Sequence, residues 1–149
     1  MSGNEFLYGL VRDLTDVLYE EHGTGAQYRT TLVGVDYFER KYGGTLKRAT
    51  VRDTVDAVID ALRAEGIVAS AEYSVDSAAD FILYLTFKSC ILQSTDKELL
   101  PLHGKIIDCP CANVVMHYVD SLLGKFSEFA KMEIDKDTCK AVICVMGKQ

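Results

Sequence analysis

The chain contains no tryptophan and no surplus of positive charge, and no stretch of it is long and apolar enough for a membrane span. Each absence removes a class of function. Sixteen Lys and Arg are scattered among twenty-two Asp and Glu, for a formal net charge of −6. Nucleic-acid binding needs a basic stripe, and the one basic cluster, Lys47, Arg48 and Arg52, is too short to make one. Acids interrupt the opening segment "MSGNEFLYGLVRDLTDVLYEE", which has no basic flank, so it reads as neither an export leader nor a transmembrane helix. A reducing, cytoplasmic setting is the corresponding expectation. No serine sits in a hydrolase-type elbow and no glycine-rich loop has phosphate-cradling spacing.

What remains is an ordinary globular composition. Hydrophobic residues make up 48% and charged residues 26% of 149 positions, enough for one domain spanning 1–149 with a real core. Phe6, Leu7, Leu10, Val11, Leu14, Val17 and Leu18 recur at helical spacing, predicting a helix from about residue 4 to 21. A second helical stretch carries Tyr37, Phe38 and Tyr42 and stops at Gly43 and Gly44. Thr50 with Asp53 three positions on marks the start of a helix whose buried stripe is Val51, Val55, Val58, Ile59 and Leu62. "IVASAEYSV" and "DFILYLTFKSC" predict a hairpin, and "SEFAKMEID" and "TCKAVICVM" a second one turning at Lys136–Asp137. Between the hairpins a helix starts near Pro110 and ends at Gly124. It turns Val114, Val115, Tyr118, Val119 and Leu122 inward and Asn113, His117, Asp120 and Ser121 outward. Helix, strand, strand thus occurs twice. The predicted fold is α+β: two helix-plus-hairpin units pairing into one antiparallel sheet, helices packed on one face, and two helical segments in front.

The five cysteines are odd in number and all lie from Cys90 onward, which reads as thiols and not as a disulfide framework. Cys109-Pro-Cys111 is a spacing short enough for two ligands to share a metal. Cys139 and Cys144 are five apart on a strand, so a regular strand sends them to opposite faces. Two other readings of these thiols stand beside the metal. They can pack as small apolar residues. Alternatively, Cys111, at a helix start, can act as a thiolate nucleophile with His103 as its base. His22 and His117 read as solvated.

The run "CPCANVVMHYVDSLLG", followed by "EFAKMEID" and "DTCKAVICVMG", resembles the 4-vinyl reductase (4VR) domain, a small-molecule or hydrocarbon-binding family grouped with haem-NO-binding and vesicle-tethering domains. This chain departs from the family pattern in the closer spacing of its last two cysteines, the missing glycine between them, and the lack of an aromatic after Cys144. The resemblance implies a ligand-binding sensor and not a turnover enzyme. Its metal set would be Cys109, Cys111, Cys139 and Cys144, with zinc as the ion. Its ligand would be a small apolar molecule or a tetrapyrrole such as haem, held in a cavity under the sheet, with Phe38, Tyr84 and Tyr118 as expected contacts. Without an output domain, such a sensor would signal through a homodimer or a protein partner; an assembly subunit with inert cysteines is the other non-catalytic reading.

Overall fold

Among the described residues, helices pack on one face of a four-stranded antiparallel sheet, the α+β arrangement that the two helix-plus-hairpin units predict. The computed structural model describes residues 2–22, 34–76, 81–93, 97, 101, 109–124 and 127–145. In chain order these contain α1 (Ser2–His22), α2 (Val35–Tyr42), a short 3-10 helix (Gly43–Leu46), α3 (Val51–Ala64), β1 (Ser70–Asp76), β2 (Phe81–Lys88), α4 (Pro110–Leu123), β3 (Ser127–Asp135) and β4 (Thr138–Val145). Among them no helix is long and apolar enough to cross a membrane.

The sheet order is β1-β2-β4-β3, so the two hairpins join through their second strands. β2 and β4 pair over eight residues, from Phe81 opposite Val145 to Lys88 opposite Thr138. Alternation then fixes the faces. Leu83, Leu85 and Phe87 on β2 and Cys139, Ala141, Ile143 and Val145 on β4 are buried toward the helices. Tyr84, Lys88 and Lys140 point the other way and are exposed. The pairing of β3 with β4 slips between Phe129 and Lys131, a bulge that leaves Ala130 without an opposite number.

Local sequence explains how the helices begin and end. The Thr50 side chain accepts a bond from the Asp53 N–H at 3.1 Å and caps α3. At the far end the Ile67 N–H reaches the Leu62 carbonyl and the Gly66 N–H reaches that of Arg63, both at 3.0 Å. Gly66 takes a positive φ of 73° there, so these two bonds close the helix and turn the chain toward β1. Val55, Val58 and Leu62 of α3 and Val115, Tyr118 and Val119 of α4 fill the space over the sheet.

Two elements differ from the periodicity reading. In α4 the polar side is not all solvated: Asn113 is 1% exposed. In α1 the apolar stripe is present but unburied, with Phe6 at 68% and Leu14 at 62% exposure.

Candidate functional site

An apolar cleft opens on the helix side of the molecule, where α2, the end of α3 and the start of α4 converge. Its volume is ≈ 170 Å³, and Phe38, Leu62, Ile67, Ile91, Cys111 and Val114 form most of its wall, with Gly34, Tyr37, Leu92 and Pro110 at its margins. No residue of the four strands lines it, so this cleft lies beside the helix–sheet core and not under the sheet.

Three anchors hold the wall. At Gly34, where α2 begins against Pro110 and Val114 of α4, the backbone has a φ of 90°, a conformation that favours glycine. Glu65, at the end of α3, accepts from the Tyr37 hydroxyl at 2.5 Å and the Tyr42 hydroxyl at 2.6 Å, and pairs with Lys41 Nζ at 2.6 Å. Those three donors, Lys41 foremost, hold the Glu65 carboxyl down at about 2. The third anchor joins the end of β2 to the turn after α3, the Ile91 N–H donating to the Ile67 carbonyl at 3.0 Å. Within α2, Phe38 stacks on Tyr42 with ring centroids 5.7 Å apart, which fixes the aromatic side of the cleft.

The thiols separate into two groups. Cys109 caps α4 without a side-chain capping bond, Pro110 occupies the first turn, and Cys111 follows it into the cleft wall. Cys90, which leaves β2, brings its sulfur to 3.8 Å from that of Cys111. Cys139 is buried on the helix-facing side of β4, whereas Cys144 is half-buried on the opposite face beside Ile82, as the odd spacing anticipates. All five are thiols. Among the described residues no three or more Cys, His, Asp or Glu side chains are placed to hold one metal ion, so the expected zinc set does not assemble there.

The electrostatics set the two neighbouring thiols apart. Sharing its proton with Cys109 and Cys90, and then burial, push the Cys111 thiol well up. Cys90 is the thiol held down, at about 7, chiefly by the hydrogen bond that Cys111 gives it. His103 lies outside the described residues. In the sequence Cys90 ends a hairpin, where it could stand in as a metal ligand, and its partnership with Cys111 appears only once the fold brings the turn after β2 to the start of α4.

Of the three expected ligand contacts, Phe38 lines the cleft. Tyr118 is buried behind it, its hydroxyl bound to Glu39, and Tyr84 is on the far face of the sheet. A cavity of about 150 Å³ accepts one benzene ring. This cleft is therefore on the scale of a single small ring.

No family model matches the sequence, and no protein with a curated description matches it. The fold does have solved counterparts. One is the crystal structure of the phenol-responsive sensory domain of the transcription activator PoxR with phenol: the two superpose with a TM-score of 0.63 at 12% identity, over 93% of this chain and 74% of that one. The chain shares the fold of a small-molecule sensory domain.

Proposed function

We propose that the protein is a sensing domain of the 4-vinyl reductase kind, which takes a small apolar molecule, a single hydrocarbon ring, into the cleft between α2, α3 and α4. The observation that carries this reading is the cleft itself: ring-sized, apolar, and walled by Phe38, Leu62, Ile67, Ile91, Cys111 and Val114. The fold shared with a phenol-responsive domain supports it.

The chemistry of the wall sets the preference. The Tyr37 hydroxyl is engaged by Glu65, and the Cys111 thiol is a weak partner for any polar group. A phenol hydroxyl entering here leaves water without a good replacement, which costs about 1–3 kcal/mol. Toluene is thus expected to bind more tightly than phenol. A ring that buries roughly 150–200 Å² gains about 4–5 kcal/mol, which corresponds to a Kd of about a millimolar or somewhat below. Such an affinity suits a reversible sensor.

Output goes through α1. Leu7, Leu10, Leu14 and Val17 repeat at the three-four spacing of a coiled-coil seam, and all four are exposed. A second copy of the same helix is the occupant that this spacing fits.

The test is a titration of the protein with toluene and, separately, phenol, followed by amide and methyl chemical shifts. Saturable shifts at Leu62, Ile67, Ile91 and Val114, stronger for toluene, are expected. Shifts confined to other surfaces, or none up to the solubility limit of toluene, would remove the reading.

A further inference from the structure

Cys90 and Cys111 belong to different units of the fold, yet their sulfurs meet 3.8 Å apart at the edge of the cleft. A disulfide is about 2.05 Å long, so the two must approach by roughly 2 Å, a movement of the order that side-chain rotation supplies. Their exposures are graded. Cys90 is half-buried, where a small oxidant can reach it, and Cys111 is 1% exposed directly behind it. Cys90 also lies outside regular structure, after Ser89, whose φ of 56° bends the chain away from β2.

We propose that Cys90 and Cys111 form a reversible disulfide, a redox-modifiable site built into the wall of the cleft, with a small peroxide as oxidant. The sulfur of Cys90, as thiolate, attacks one oxygen of hydrogen peroxide. The O–O bond breaks, hydroxide leaves and is protonated to water, and Cys90 becomes a sulfenic acid. The Cys111 sulfur then attacks that of Cys90; its proton leaves with the displaced hydroxyl as a second water, and the S–S bond forms. Two thiols are oxidised and one peroxide is reduced to two waters. A dithiol returns both cysteines to thiols by exchange.

The bridge changes the cleft because both partners are attached to its wall. Cys111 and Val114 share one turn of α4, and Ile91 and Leu92 follow Cys90 directly. Drawing the sulfurs together draws these walls together and narrows the space for a ring. Only this coupling rests on the proposed ligand site; the bridge rests on the sulfur geometry alone.

The experiment treats the full chain with hydrogen peroxide, blocks the remaining thiols, and maps linked peptides by mass spectrometry, with toluene binding measured on both forms. The expected result is the loss of two titratable thiols, a peptide pair joining Cys90 to Cys111, reversal by dithiothreitol, and toluene binding weakened about tenfold. In Cys90→Ser the pair disappears while the far-UV circular dichroism is unchanged; this variant spares the buried Cys111. Retention of every thiol in the wild type overturns the bridge, as does a link between Cys109 and Cys111 that forms equally fast in Cys90→Ser. A mapped bridge with unaltered toluene affinity overturns the coupling. If the reduced protein ignores toluene while the bridge forms, the ligand reading fails and the bridge stands.

Discussion

Tyr118 donates its hydroxyl to Glu39 Oε1 at 2.5 Å, a bond spanning 79 positions of sequence that ties α4 to α2. Burial, and then the Glu39 carboxylate, push the Tyr118 phenol far above its ordinary value. The folded chain therefore holds that proton more tightly than the unfolded one. Its contribution is fully present below about pH 10 and declines as the pH rises further. Tyr118→Phe is expected to lose about 1 kcal/mol at neutral pH and to show a shallower loss of stability in alkali. Urea unfolding at neutral pH and across the range above pH 9 checks both.

The Glu65 cluster has the opposite sign. With its carboxyl held at about 2 by Lys41, Tyr37 and Tyr42, the folded state releases the proton more readily than the unfolded state, whose value lies near 4.5. The stabilisation is complete above that pH and is lost as the pH falls toward 2. Glu65→Gln should be less stable at neutral pH and less sensitive to acid between those limits. Thermal unfolding of both proteins from pH 7 to pH 2.5 measures the difference.

Ile91 is 41% exposed at the rim of the cleft, so changing it leaves the core alone. Ile91→Ser removes apolar contact from a bound ring and should weaken toluene binding by roughly three- to tenfold, about 1 kcal/mol. The midpoint of thermal unfolding should move little. A titration followed by chemical shifts on wild type and variant gives the ratio.

Leu14 sits in the seam of α1 at 62% exposure. If α1 pairs with a second copy, Leu14→Asp places two carboxylates against each other in that seam and should yield monomer where the wild type is dimeric. Sedimentation velocity over a concentration series reads this directly, and the far-UV spectrum should be retained.

The units of the fold were legible because their signals are local. Thr50 and Asp53 announce the start of α3, β-branched and apolar runs announce β2 and β4, and β3 (Ser127–Asp135) coincides with the predicted "SEFAKMEID". The odd separation of Cys139 and Cys144 placed them on opposite faces without coordinates. The cleft was not legible. Its wall takes Phe38 from α2, Leu62 from α3, Ile91 from the turn after β2 and Val114 from α4, and no periodicity within one element reveals which of them converge. For the same reason Asn113 read as outward-facing: one helix's pattern cannot show what packs on its second side. The pairing of Cys90 with Cys111 was not legible because it is wholly relational, a distance between two units of the fold.

The eight-residue ladder between β2 and β4 has a consequence for how the chain assembles. It is a seam between two unequal pieces, a longer one ending in β2 and a shorter one beginning at α4, that touch again where α3 meets α4. Cutting the polypeptide between residues 93 and 109 would convert folding from a first-order event into a concentration-dependent encounter of fragments. Either piece alone would present the bare inner edge of its hairpin, with the hydrogen-bonding groups its counterpart normally satisfies, and would be recruited by the other as a template.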